Sequence, residues 1–159
     1  MIGAMTESDD GSGAPDWQDE ARDMYGRYID AFNARDEATF YGFFHLPVSI
    51  MRLPGDGADR PASTPHLVTD AAQLWPALPA TWTRSTIDDL RVLADDDAFT
   101  PRPGFTDRSP RRVALQVTVT RWAGDEPYEQ VHVLYLLARE GGRLGIKAMV
   151  PLAVAAPTG

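Results

Sequence analysis

The sequence predicts a single α+β domain, in which three N-terminal helices cover the concave face of a curved antiparallel sheet. Apolar residues recur at helical spacing near the start of the chain, whereas the last third alternates apolar and polar residues over three long runs. The 159 residues and the 43% hydrophobic content fit one domain with its own core. We predict a domain at residues 15–154, between a disordered tail (1–14), rich in Ser, Asp and Gly, and a C-terminal tail (155–159).

Two helices are predicted at the start of the domain. Asp16 caps the first helix, whose apolar stripe consists of Trp17, Ala21, Met24, Tyr25, Tyr28, Ile29 and Phe32. A corner at residues 33–35 ends this helix, and Asp36 caps a short second helix that runs through Phe44. The aromatic residues of both helices are therefore expected to pack onto the sheet.

A third helix is predicted from Asp70 toward Trp82. Pro76 and Pro79 lie inside it, and each proline removes a hydrogen bond and clashes with the preceding turn. We therefore expect this helix to be kinked or broken.

Shorter strands and loops fill the middle of the chain. Strands are predicted at residues 48–53, 66–69 and 87–94. The first strand follows Pro47, which ends helical geometry, and a Pro-Gly-Asp-Gly turn closes it. Residues 95–110, rich in Asp, Pro and Gly, are expected to form an exposed, mobile loop.

Three long strands are predicted at residues 111–122, 128–139 and 143–154. A two-residue turn at residues 141–142 pairs Glu140 with Arg143, which places Tyr135 opposite Ala148 and Val133 opposite Val150. A three-residue loop at residues 124–126 adds the face formed by Val113, Leu115, Val117 and Val119 to the same apolar side. A two-residue loop instead turns His132 and Leu134 inward. We favour the three-residue loop because the apolar faces of all three strands then lie on the same side of the sheet.

The opposite face of these strands is too apolar for a surface fully exposed to water. It carries Gln116, Thr118, Trp122, His132, Leu134, Leu136, Lys147 and Met149. A homodimer packed through this face is the natural explanation.

Composition and charge exclude several kinds of partner. The net charge of −8 argues against nucleic acid and anionic membrane surfaces. There is no cysteine for thiol chemistry, and His45, His66 and His132 show no metal-ligand spacing, so we expect neither a metal nor a cofactor. Without a signal-peptide pattern or an apolar run of about 18 residues, we expect a cytoplasmic protein that acts on a small molecule.

Three segments resemble the nuclear transport factor 2-like superfamily, and its SnoaL-like branch most closely: YIDAFNARD (28–36), FFHLPV (43–48) and YLLAREGGRLGI (135–146). The resemblance covers residues 17–152. It implies a cone-shaped α+β fold with a ligand cavity between the helices and the sheet. The superfamily includes ketosteroid isomerases, polyketide cyclases, dehydratases, epoxide hydrolases and members without known activity, so fold alone does not choose among them.

The resemblance also bears on individual residues. Tyr28 matches the helix-borne tyrosine donor of ketosteroid isomerases, but Arg52 stands where their catalytic aspartate lies, and their second aspartate falls at or beside Leu134. That isomerisation is therefore not expected. Arg52 could instead serve as the arginine of an epoxide hydrolase, with Asp88 or Asp89 as the carboxylate.

The predicted catalytic residues are Tyr28, His45, Arg52 and Tyr135. An inward Arg52 would bind a carboxylate, enolate or phenolate oxygen; otherwise it is solvated or paired with Asp56. His45 either transfers a proton or bonds the junction backbone. Tyr28 and Tyr135 either converge as donors in the cavity or are core aromatics.

These alternatives lead to three hypotheses of function. One is an enzyme of secondary metabolism that cyclises, dehydrates or opens an epoxide in a lipophilic, oxygen-bearing molecule. The second is a ligand-binding protein without turnover, and the third is a structural dimer whose cavity is filled by its own side chains.

Overall fold

The computed structural model describes residues 17–51, 65–76, 78–94, 100–106, 108 and 112–158. It contains two α-helices, a single 3-10 turn and six strands within those ranges: α1 (Trp17–Asn33), α2 (Glu37–Tyr41), the turn Ala71–Gln73, and β1 (Phe44–Met51), β2 (Pro65–Val68), β3 (Arg84–Ala94), β4 (Arg112–Ala123), β5 (Glu126–Glu140) and β6 (Arg143–Ala155). Within the same ranges, no helix is long and apolar enough to cross a membrane.

The six strands form one curved sheet in the order β2-β1-β6-β5-β4-β3. Neighbouring strands run antiparallel except β1 and β6, which are parallel. Helix α1 lies across one face of this sheet and contacts β3, β4 and β6. The α+β architecture predicted from the sequence is confirmed.

Helix α1 buries the predicted apolar stripe against the sheet. Its buried residues are Ala21, Met24, Tyr25, Tyr28, Ile29, Ala31 and Phe32. Arg35 turns the chain with a positive φ of 56°, and the Asp36 side chain accepts a hydrogen bond from the Thr39 amide, as expected of an N-cap. The predicted cap at Asp16 lies outside the described residues.

The second helix is shorter than predicted, and β1 begins earlier. Helix α2 ends at Tyr41, and the chain enters β1 at Phe44. Pro47 therefore lies inside the strand and not before it. The pairing of β1 with β6 is irregular between Phe44 and Ser49, so the missing amide hydrogen of Pro47 leaves the regular ladder intact.

The predicted third helix is wrong. Asp70 does cap a helical turn, because its carboxylate accepts a hydrogen bond from the Ala72 amide, but only Ala71–Gln73 follow it, in 3-10 geometry. The prolines at 76 and 79 explain the early end, since neither donates the hydrogen bond that a longer helix needs. Trp82 is nevertheless buried and closes the core beside α1.

The favoured register of β4 and β5 is confirmed, although the loop between them differs from the predicted one. Val117 pairs with Val133, and Leu115 pairs with Tyr135. The turn contains two residues, because Ala123 pairs with Glu126, and a β-bulge at Tyr128 then adds one residue to β5. The bulge restores the alternation that a three-residue loop would have given.

The register of β5 and β6 starts as predicted and then shifts. Glu140 pairs with Arg143, but a bulge between Leu136 and Leu137 moves the next pairs by one residue, and a second shift between His132 and Val133 moves the last pairs by one more. Tyr135 therefore pairs with Met149, not with Ala148 as the sequence suggested.

The first shift exchanges the faces of residues 148–151 in β6. Met149, predicted on the outer face, turns inward with Pro151. The outer positions go to Ala148 and Val150, opposite Leu136 and Leu134.

Candidate functional site

A cavity of about 120 Å³ lies between α1 and the inner face of the sheet and opens to solvent. An engineered apolar cavity of about 150 Å³ binds benzene, so the enclosed space suits a molecule with about one ring. The lining residues include Tyr25, Tyr28, Ile29, Phe32, Phe40, Phe44, Ile50, Met51, Gln73, Leu74, Trp75, Pro76, Ser85, Val119, Arg121, Val131, Val133, Tyr135, Met149 and Pro151.

Three tyrosine hydroxyls meet at one end of this cavity. Tyr25 and Tyr28 are three residues apart on α1 and therefore share a face of the helix. The Tyr25 hydroxyl donates to the Tyr135 hydroxyl at 3.1 Å, and the Tyr28 hydroxyl also interacts with that of Tyr135. The ring centroids of Tyr25 and Tyr28 lie 5.2 Å apart, and those of Tyr28 and Tyr135 lie 6.1 Å apart. Helix and sheet thus contribute to one cluster.

The environment keeps these three tyrosines neutral. Burial raises the pKa of Tyr25, Tyr28 and Tyr135 well above the ordinary value of 10.0, and mutual repulsion among their charged forms raises it further. The nearby positive charge of Arg121 lowers each pKa, but this effect is smaller than that of burial. At neutral pH the cluster therefore supplies hydrogen-bond donors and no anionic base.

Aromatic rings surround the Tyr28 side chain. Its ring stacks on Phe40 at a centroid distance of 4.9 Å and meets Phe44 edge to face at 5.9 Å. Phe40 in turn contacts Trp75 at 5.0 Å, and Phe32 contacts it at 5.2 Å. Such rings form a rigid apolar wall on which a planar molecule can pack.

The Ser85 hydroxyl also lines the cavity. A hydrogen-bond network that joins Asn33, Trp82 and Ser85 holds it in place. Asn33, at the end of α1, donates to the Ser85 carbonyl at 2.9 Å and accepts from the Ser85 amide at 2.7 Å. The Trp82 indole donates to the Ser85 hydroxyl at 3.2 Å. Because this hydroxyl already accepts a hydrogen bond, its own hydrogen can be donated to a ligand.

A charged pair marks the other polar part of the cavity. Arg121 follows Val119 on the inner face of β4 and lines the cavity. Its Nη1 donates to Glu129 Oε2 at 2.7 Å, across the β4–β5 ladder. The exposed fractions of the two side chains are 21% and 26%, so the pair is half-buried.

The structure places His45 away from the cavity lining. Its ring is buried, and Nε2 donates to the Arg143 carbonyl at 2.8 Å. A Cβ at Gly145 would lie 2.8 Å from two atoms of this ring, so the imidazole packs where only a glycine fits. His45 thus bonds the backbone at the first residue of β6, and a role in proton transfer stays a prediction.

The other sequence-predicted groups that the structure describes are separate from the tyrosine cluster. Arg52 lies outside the described residues. Asp88 accepts hydrogen bonds from Thr120 and Gln130 on the outer face of the sheet, and Asp89 pairs with Arg91 at 2.8 Å on the surface. His132 also lies on the outer face, where Thr118 and Gln116 bond its ring.

Of the predicted residues, the structure brings Tyr28 and Tyr135 together. Sequence reasoning missed Tyr25, Ser85 and Arg121 as site residues. The signal for Arg121 was present, because it continues the inward alternation of Val117 and Val119. The position of Ser85 carried no such signal, since β3 begins earlier than predicted.

Several solved structures share this architecture. A scytalone dehydratase-like protein from Novosphingobium aromaticivorans superposes with a TM-score of 0.56 and 9% identity, over 89% of this chain and 88% of the other. The chain has a SnoaL-like, nuclear transport factor 2-like fold.

Two Streptomyces proteins superpose in the same way. ActVI-ORFA from Streptomyces coelicolor gives a TM-score of 0.55 at 15% identity, over 85% and 95% of the two chains. Aln2 from another Streptomyces strain gives 0.52 at 16%, over 87% and 90%. At these identities the likeness is one of fold. No family model matches the sequence, and no curated protein matches it either.

Proposed function

We propose that this protein binds a lipophilic, oxygen-bearing metabolite in the tyrosine cavity and promotes its enolisation, as a step of cyclisation or dehydration. The observation that carries the proposal is the meeting of three neutral tyrosine hydroxyls inside an aromatic cavity that opens to solvent. The superposition on a scytalone dehydratase-like protein is consistent with such chemistry. A place in secondary metabolism and a cytoplasmic location remain part of the proposal.

In the proposed mechanism, the carbonyl oxygen of the metabolite accepts a hydrogen bond from Tyr135, whose hydrogen is not used within the cluster. When a base removes a proton from the adjacent carbon, negative charge moves onto this oxygen and Tyr135 stabilises it, while the Tyr135 oxygen accepts hydrogen bonds from Tyr25 and Tyr28. Tyr25 donates to Tyr135 and so orients it.

Water that enters through the open mouth of the cavity accepts the proton in this scheme and passes it to bulk solvent. The described residues that line the cavity include no carboxylate and no histidine. Arg52 remains a proposed contributor at the cavity, as a cation for the developing oxyanion.

The experiment uses para-ethylacetophenone, a ketone with one ring, as the probe. Its binding is measured by calorimetry, and its enolisation by NMR as exchange of the protons beside the carbonyl for deuterium from D2O. We expect the protein to bind the ketone and to accelerate the exchange over buffer. Tyr135→Phe removes one donor and should weaken binding about fivefold, since a hydrogen bond contributes about 1 kcal/mol, and slow the exchange tenfold or more.

Tyr41→Phe is the matched control. The Tyr41 hydroxyl bonds Glu37 on the surface of α2, outside the cavity, so this variant should behave as the unmodified protein does. Equal rates in the Tyr135→Phe and Tyr41→Phe variants would refute the assignment of the donors. Binding without accelerated exchange would favour the alternative function, a ligand-binding protein without turnover.

We also propose a homodimer packed through the outer face of the sheet. Leu134, Leu136, Ala148 and Val150 lie side by side on that face, and Leu152, further along β6, is 51% exposed. A contiguous apolar surface of this kind is typical of an interface.

A further inference from the structure

The cavity has two polar ends separated by an apolar floor. Along β5, the inner face carries Tyr135, then Val133 and Val131, and then reaches Glu129 opposite Arg121. The backbone distance from Tyr135 to Glu129 is about 20 Å, at about 3.3 Å per residue. Because Tyr135 and Arg121 both extend long side chains into the same space, a ligand shorter than this distance can contact both.

The guanidinium of Arg121 retains unused donors. An arginine has five N–H groups in a fixed planar arrangement. Among the described residues, the single hydrogen-bond partner of this side chain is Glu129, which occupies Nη1. The remaining N–H groups match the bidentate geometry of a second carboxylate.

Glu129 holds the guanidinium of Arg121 in position and also weakens its attraction for a second anion. The 2.7 Å pair fixes the orientation of Arg121 beside the cavity, while the charge of Glu129 opposes the approach of another anion. The whole chain repels anions as well, with a net charge of −8. Binding of an organic acid would therefore require a specific cation in the site.

We propose that the metabolite is an aromatic organic acid, whose ring lies on the valine floor, whose carbonyl oxygen meets the tyrosine hydroxyls and whose carboxylate is bound by Arg121. This inference rests on the proposed function, since it names the ligand class of the same cavity. The ring takes up the enclosed space of about 120 Å³, and the side chain that bears the carboxylate extends beyond it toward Arg121, since the cavity opens to solvent.

The test compares two probes that differ in one group. Para-acetylphenylpropanoate carries a carboxylate at the end of its side chain, and para-ethylacetophenone has the same ring and ketone without it. Calorimetry at pH 7 and low salt gives the ratio of the two affinities. We expect the acid to bind about tenfold or more tightly than the ketone, which is typical of a charge-assisted hydrogen bond.

Two variants should move this ratio in opposite directions. Arg121→Gln should lower it tenfold or more, and Glu129→Gln should raise it severalfold, because the guanidinium is then free of its competing anion. Arg91→Gln and Asp89→Asn are matched controls, since they alter a surface pair at 2.8 Å on the neighbouring strand. Neither control should change the ratio.

The outcomes separate the two proposals. If the ketone binds through the tyrosines but the ratio is the same in the Arg121→Gln and Arg91→Gln variants, the acid inference is wrong and the proposed function stands. If neither probe binds, both are wrong. Glu129→Gln keeps the test decisive should Arg121→Gln fail to fold, because an unchanged ratio in that variant alone excludes acid binding at Arg121.

Discussion

The side chain of Asn33 fixes the end of α1 to the first residues of β3, and its removal should destabilise the fold measurably. Its amide makes two hydrogen bonds to the Ser85 backbone, at 2.9 and 2.7 Å, and Ser85 is only 2% exposed. In Asn33→Ala both backbone groups lose their partner where water has little access. Each unsatisfied buried group costs about 1 to 3 kcal/mol, so we expect a loss of about 3 kcal/mol after partial relaxation.

Thermal unfolding followed by circular dichroism measures this loss. For a chain of this length, 1 kcal/mol corresponds to about 2 to 4 °C in the midpoint, so Asn33→Ala should unfold about 6 to 12 °C earlier. Gln130→Ala is the control, because its exposed amide also makes one hydrogen bond, to Asp88 at 3.1 Å. Its midpoint should move by no more than about 2 °C. Equal shifts of the unfolding midpoint in both variants would refute the importance of the buried hydrogen bonds between Asn33 and Ser85.

Three further perturbations test other parts of the structure. Gly145→Ala places a Cβ 2.8 Å from the His45 ring and should cost about 1 to 3 kcal/mol in urea unfolding; an unchanged midpoint would contradict this packing. Above pH 10 the unfolded tyrosines ionise while the buried ones do not, so stability falls as the pH rises. Tyr135→Phe should make this fall shallower by about 1.4 kcal/mol per pH unit, and equal slopes would argue against burial of its hydroxyl. Leu134→Glu should convert a dimer into a monomer in light scattering, whereas a monomeric unmodified protein would exclude the proposed interface.

Most of the fold could be predicted from periodicity alone. The stripe on α1, the cap at Asp36 and the valine face of β4 all follow from spacing and local hydrogen bonding, which depend on nearby residues. The third helix ends after one turn because two prolines within the next ten positions outweigh a favourable cap at Asp70. A cap contributes about 1 kcal/mol, whereas an interior proline costs about 3 kcal/mol.

The site was harder to predict, because its residues come from elements that meet only in the fold. The resemblance to a helix-borne donor indicates Tyr28, and the apolar alternation of β5 indicates Tyr135. The sequence places His45 two residues before Pro47, but it does not show that the side chain turns to the Arg143 carbonyl. Sequence gives the position of a side chain along an element and not which of its neighbours it meets.

Two one-residue irregularities in the strands determine which groups enter the cavity. The bulge at Tyr128 compensates for a two-residue turn, so that Arg121 lies opposite Glu129 and on the same face as the tyrosines. The bulge between Leu136 and Leu137 brings Met149 opposite Tyr135. Because a shift of one residue exchanges the two faces of a strand, these bulges decide both the charge at one end of the cavity and the apolar surface beside the hydroxyls at the other. The chemistry proposed here thus depends on register as much as on residue type.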